Sequence, residues 1–182
     1  MKTSSIVRKR QEPLMQEYLK QPTKAWVTDV AFVEGKNLDK PFQTEVCINE
    51  ELQESFGIGV HRALGGLHDM PNPGDMLCAT LASCFESTLR MIADRLGIKL
   101  KYTYVKVEAQ VDVRGTLMMD KNVPVAFQSM DLYLKVDIEN MQNKLPLLLK
   151  ATENCCVIFQ TLKPALPIRI KHELEMEETV EL

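Results

Sequence analysis

Between Pro73 and Gly97 the chain reads PGDMLCATLASCFESTLRMIADRLG, and this run constrains the fold more than any other. Its apolar residues Met76, Leu77, Leu81, Phe85, Leu89, Ile92 and Leu96 recur at helical spacing and cover more than one face. The spacing predicts a helix over about 74–96, with Asp75 in the first turn, where a negative charge suits the helix dipole, and Gly97 as its stop. Ser83, Ser87, Arg90 and Asp94 form one polar stripe. A helix this apolar has to be mostly enclosed by protein, so the rest of the chain must be arranged around it. One cysteine, Cys84, sits in its middle.

The flanking segments supply sheets. "KYTYVKVEAQVDVRG" (101–115) and "VAFQSMDLYLKVDIE" (125–139) each alternate apolar and polar residues and predict an antiparallel pair. "KAWVTDVAFVEG" (24–35) and "FQTEVCINE" (42–50) predict a hairpin joined by "KNLDKP". "PIRIKHELEME" (167–177) predicts a last strand. Residues 12–20 predict a short amphipathic helix, with Pro13 in its first turn and an end before Pro22. A helix is expected over about 145–162. The resulting order, α-ββ-α-ββ-α-β, is an α+β pattern with antiparallel sheets. "HRALGGLHDMPNPGD" (61–75) is a long Gly/Pro-rich loop, a type that is often functional.

At 182 residues the chain suits one domain with a sizeable core. Its 22 Lys and Arg against 25 Asp and Glu give a net charge of −3, which offers no electrostatic case for nucleic acid or an anionic membrane. No run is expected to reach the length of a membrane span. The N-terminus has a basic cluster at Arg8, Lys9 and Arg10 but no apolar stretch after it, so it is not read as a secretory signal. The expected compartment is the cytoplasm.

Five cysteines, an odd number, do not suit a secreted disulfide framework. Cys47 and Cys78 read as packing residues, and by composition alone Cys84 does too. Cys155 and Cys156 are adjacent, an arrangement that rarely bridges with itself, so at least one is open to a distant partner. There is no C-x-x-C and no H-E-x-x-H. His61, His68 and Asp69 share one loop, which leaves a metal site open against the simpler reading of two solvent-facing histidines. A Cys–His hydrolase would need a base beside Cys84, and none is local in sequence.

The run "PGDMLCATLASCFESTLRMIADRLGI" strongly resembles the central-helix motif of the osmotically inducible protein C and organic hydroperoxide resistance family. Pro73, Asp75, Cys84, Thr88, Leu89, Arg90 and Met91 fit that motif. "CVIFQTL" (156–162) resembles the second family motif, with Val157 where Pro is usual, and the similarity covers about residues 24–175. The resemblance implies residues 1–22 as an N-terminal helical extension and 23–182 as a single OsmC-like domain. It implies antiparallel sheets wrapped around central helices in an intertwined homodimer, which would account for a helix apolar nearly all round. It implies a peroxiredoxin-like, thiol-dependent peroxidase with Cys84 peroxidatic and Cys156 resolving, and with Cys155 as a possible competitor for the resolving role. The partners implied are a hydroperoxide substrate and an external dithiol reductant, with no metal and no cofactor assigned. The family's activating Arg comes from the first hairpin, but residues 24–50 contain no Arg. Arg62 is the nearest substitute, and Asp75 takes the place of the more common Glu. The alternative is a protein of this fold without efficient peroxidase activity, which would bind a small apolar or thiol-reactive ligand at the dimer-interface pocket.

Overall fold

The computed structural model describes residues 5–36, 38–139 and 142–173. In chain order the elements are helix α1 (Ile6–Lys20), strands β1 (Ala31–Val33), β2 (Gln43–Ile48) and β3 (Glu54–Gly59), helix α2 (Pro73–Leu96), strand β4 (Lys99–Val111), the short helix α3 (Val113–Thr116), strand β5 (Phe127–Glu139), helices α4 (Leu145–Cys155) and α5 (Val157–Leu162), and strand β6 (Ile168–Glu173). They form two antiparallel-rooted sheets, ordered β1-β2-β3 and β4-β5-β6. The chain divides into two compact units. One gathers the segment up to Glu12, Cys78–Val111 and the chain from Ala126 onward; the other gathers Pro13–Leu77 and Asp112–Val125.

The first unit carries the larger core. The register pairs Val105 with Leu134, Val107 with Leu132 and Ala109 with Met130, so the alternation of β4 and β5 falls on one shared face. Met130, Leu132 and Leu134 are buried there, as are Leu81, Phe85 and Leu89 of α2, Leu148 of α4 and Phe159 of α5. Each such side chain contributes about 1.5–3 kcal/mol of transfer free energy. β6 joins β5 in parallel, with Ile170 opposite Leu132, which differs from the all-antiparallel expectation. The chain crosses over from β5 through α4 and α5 before it returns, and a crossover of that length permits parallel pairing. On the opposite face Arg169 donates two hydrogen bonds to Asp131, at 2.7 and 3.1 Å. This pairing, chiefly the Arg169 bond, holds the Asp131 carboxyl below its usual range.

Several boundaries differ from the sequence reading. α1 begins at Ile6, which leaves Pro13 in mid-helix. The earlier start is set by a local N-cap, since Ser5 Oγ accepts the N–H of Arg8 at 3.0 Å, and Asp94 of α2 adds a tertiary tie by accepting the backbone N–H of Val7 at 3.0 Å and the Ser5 hydroxyl. Arg8 returns the interaction, donating through Nε and Nη2 to Arg95 O at 3.1 and 3.0 Å, a carbonyl at the end of α2. β4 stops at Val111 because Asp112 caps α3, accepting the N–H of Arg114 at 3.0 Å.

In the second unit, β1 is only three residues long, and β3 was not anticipated. "ESFGIG" hides its strand pattern behind two glycines. A Cβ on Gly57 would lie 2.5 Å from Met70 Sδ, so the 61–72 loop packs directly over that position. The Gly59 N–H donates to Pro71 O at 2.9 Å, which ties the loop to the end of β3.

α2 exceeds the length expected of any apolar run. At 24 residues it is long and apolar enough to cross a bilayer by length and composition alone. Leu81, Phe85, Thr88, Leu89 and Ala93 are buried within the unit. A core helix of a soluble protein meets the same criterion.

Candidate active site

In the first unit, α2 and the α4–α5 pair bring two thiols together. The Cys156 thiol donates to the Cys84 sulfur at 3.4 Å, a separation at which the two sulfurs touch. α2 presents Cys84 on the strip between its buried face (Leu81, Phe85, Thr88) and its exposed face (Thr80, Ser83, Ser87). Cys84 is accordingly half-buried, whereas Cys156 is fully buried and Cys155 is exposed.

The side on which each of the two adjacent cysteines lies is set by a break in the backbone. One continuous helix was expected over 145–162, but Cys156 adopts φ −75° and ψ 109°, ending α4 and serving as N-cap of α5. No Pro or Gly marks this break. It is bracketed by hydrogen bonds from Cys156 N to Thr152 O at 2.9 Å and from Gln160 N to Cys156 O at 3.0 Å. The Gln160 side chain donates across it to Glu153 O at 2.7 Å, satisfying a carbonyl in the last turn of α4. Three residues into the new helix, Phe159 meets Phe85 edge to face with 5.8 Å between ring centroids. Each partner in that ring pair is a near neighbour of one thiol.

Burial pushes the Cys156 thiol up to about 11. The backbone amides of Phe159 and Ile158 pull against that shift, and the adjacent Cys84 sulfur adds to it. Cys156 is therefore the neutral donor of the pair at physiological pH. A neutral thiol is a weak nucleophile towards a peroxide but is well placed to meet an electrophilic sulfur beside it.

In the second unit lie Arg62 and Asp75, which the structure does not pair. Arg62 Nε donates to Leu67 O at 3.2 Å, within its own loop. Asp75 accepts from Asn72 N at 2.9 Å and Asn72 Nδ2 at 2.6 Å, while Asn72 Oδ1 accepts from Gly74 N at 2.8 Å. This reciprocal cap at the start of α2 was legible as N-x-x-D, a signal that the sequence reading passed over. The basic side chain nearest to Asp75 is His68, with Nε2 3.7 Å from Oδ2. His68 in turn stands 4.7 Å from His61, ring centre to ring centre. Among the described residues no group of three or more His, Cys, Asp or Glu is placed to hold a metal ion.

Residues 66–171 match the family model described as OsmC-like protein. No curated protein sequence matches the chain. Among solved structures, the chain is similar to an organic hydroperoxide resistance protein OsmC from Legionella pneumophila, at 19% identity over 81% of this chain and 98% of that one, with a TM-score of 0.62. It is similar to the organic hydroperoxide resistance protein OhrB of Bacillus subtilis, at 15% identity over 81% and 98% of the two chains, with a TM-score of 0.57. An OsmC like protein from Mycoplasma pneumoniae superposes at a TM-score of 0.66 with 11% identity, over 81% and 97% of the chains. At these identities the structural likeness is one of fold. The family match spans more than half of the sequence, including the helix that carries Cys84 and the break at Cys156, and on that ground the chain belongs to the OsmC-like protein family.

Proposed function

We propose that this protein is a thiol-dependent peroxidase that reduces organic hydroperoxides, with Cys84 as the peroxidatic and Cys156 as the resolving cysteine. The observation that carries the reading is the 3.4 Å contact between one half-exposed and one buried thiol. The Cys84 thiolate attacks the terminal peroxide oxygen, the O–O bond breaks, and the alcohol leaves with a proton. Cys84 becomes a sulfenic acid. The Cys156 sulfur then attacks the Cys84 sulfur and expels water, and a disulfide forms. An external dithiol reduces that disulfide by exchange. Cys155, exposed on the other side of the break, is not the thiol in contact with Cys84, which favours Cys156 for resolution.

A homodimer is part of the same proposal. α2 buries only one face within the chain, and in the other unit Phe32, Val33 and Ile48 of the β1–β2 pair stand exposed. The cytoplasm, where thiols are kept reduced, suits this cycle.

The test is to add one equivalent of cumene hydroperoxide to the reduced protein, quench, and map disulfides by mass spectrometry, with Cys84→Ser as control. A rapid Cys84–Cys156 link is expected. Oxidation of Cys84 no faster than that of an ordinary free thiol would reject the enzyme. It would favour a protein of this fold that binds a small apolar or thiol-reactive ligand. The absence of an Arg62–Asp75 ion pair is the observation that keeps this second reading in play.

A further inference from the structure

We propose that the disulfide is reduced from one side only: the external thiol attacks Sγ of Cys84, and the mixed disulfide of the regeneration step forms on Cys84, not on Cys156. The inference rests on the redox reading of the pair and adds to it the point of attack and the order of thiol release.

Thiol–disulfide exchange is a displacement at sulfur, and the attacking thiolate approaches along the S–S axis from behind the sulfur attacked. Behind Cys156, as seen from Cys84, is the interior: Cys156 is 0% exposed, and its neighbours Thr152 and Phe159 are 0% and 3% exposed. Within the single chain Cys84 is half-buried and is bordered on α2 by Thr80, Ser83 and Ser87, all exposed. Ser87 Oγ donates to Cys84 O and Ser83 Oγ to Thr80 O, each at 3.2 Å, so these short hydroxyls are turned back onto the helix backbone. Because the two sulfurs already touch, forming the bond requires little movement, and this contrast in access carries over to the disulfide.

The atoms and electrons balance as follows. A thiolate of the dithiol bonds to Sγ of Cys84, the Cys84–Cys156 bond breaks, and its electron pair goes to Sγ of Cys156, which takes a proton. The second thiol of the reductant, as thiolate, attacks its partner sulfur in the mixed disulfide, releases Cys84 as thiolate, and closes the reductant's own disulfide. A thiol that burial pushes up to about 11 is the poorer leaving group. That slows the first step but cannot redirect it to a sulfur with no exposed surface.

The test uses a monothiol, which has no second thiol to resolve the mixed disulfide internally, so that an early quench traps it. The full-length protein is oxidised with diamide, its remaining thiols are capped with iodoacetamide, and excess glutathione is added. The reaction is quenched in acid and the newly freed thiol is labelled with N-ethylmaleimide. Peptide mass spectrometry is expected to find glutathione on Cys84 and maleimide on Cys156, in roughly tenfold or greater excess over the reverse pattern. The same sequence in denaturant should give both patterns. Glutathione on Cys156 in the folded protein, equal amounts of the two patterns, or no Cys84–Cys156 disulfide with diamide would overturn the inference. Because diamide forms the disulfide without a peroxide, failure of the peroxidase reading registers separately, as absence of oxidation by cumene hydroperoxide.

Discussion

Phe85 and Phe159 meet edge to face at 5.8 Å, and each lies within three residues of one of the two touching thiols. The ring pair therefore clamps α2 to α5 at the point where the sulfurs must meet. Phe159→Ala should destabilise the protein by about 3–5 kcal/mol, as expected for loss of a buried aromatic. Phe159→Leu, which keeps most of the volume, should cost less. In both variants disulfide formation after a peroxide pulse should slow more than the initial consumption of one equivalent of peroxide, because only resolution needs the second thiol in place. Stopped-flow peroxide consumption and timed disulfide mapping separate the two steps.

The raised Cys156 thiol makes stability depend on alkaline pH. Its folded pKa, about 11, exceeds the ordinary 9.0, so between those values the folded state holds a proton that the unfolded chain has released. The stabilisation is fully present below about 9 and is lost as pH rises towards 11. Urea melts of the reduced protein should show falling stability across that window. The decline should be smaller in Cys156→Ser, and a decline of equal size there would assign it to other groups.

The family resemblance makes Arg62 the candidate source of positive charge for the thiolate, a role its bond to Leu67 O does not address. Titration of Cys84 by pH-dependent alkylation should move upward in Arg62→Ala and return most of the way in Arg62→Lys, since a lysine keeps the charge but not the guanidinium fork. An unmoved titration would remove Arg62 from the chemistry and leave it the loop role seen in its bond to Leu67 O.

Asp94 caps a helix to which its own segment is not joined, and the bonds from Ser5 and Val7 hold its carboxyl below the usual range. Asp94→Ala should cost about 1 kcal/mol, the usual worth of an N-cap. It should also speed amide exchange at the start of α1 without changing exchange in β5. The depressed carboxyl contributes stability above its ordinary pKa near 4, and that contribution is lost as pH falls through the lower folded value. Exchange at Val7 should therefore accelerate in acid in the parent protein and be flat with pH in Asp94→Ala, once intrinsic rates are removed.

Gly66 leaves no room for a side chain: a Cβ there would lie 1.9 Å from Val60 O, a backbone atom that cannot swing aside. Gly66→Ala should cost about 1–3 kcal/mol by overpacking. The effect should appear first as faster exchange in β3, to whose end the loop is tied. Wild-type exchange at Gly59 would count against this account of the loop.

Much of the architecture was legible in order along the chain. The alternation in 101–111 and 127–139 placed β4 and β5 and their shared face, because a period of two is a local property of an extended chain. The apolar run from Met76 to Leu96 placed α2, and Pro73 and Asp75 marked its start. The motif around Cys84 pointed to the family. β3 escaped notice because Gly57 and Gly59 erase the side-chain pattern, whereas the early start of α1 was legible in its N-cap, Ser5, immediately before Ile6.

The sequence by itself determined most of the helices and strands, β3 and the break between α4 and α5 excepted, and that a cysteine stands in the middle of the long apolar helix. The tertiary structure alone decided that β6 runs parallel to β5, that α1 and α2 cap one another, and that Cys156 rather than Cys155 touches Cys84. Consecutive residues point to different sides of the backbone, so local pattern cannot choose between two adjacent identical side chains. The choice was made by a helix break that no Pro or Gly announces, where packing of Phe159 on Phe85 turns one thiol into the core and leaves the other in solvent.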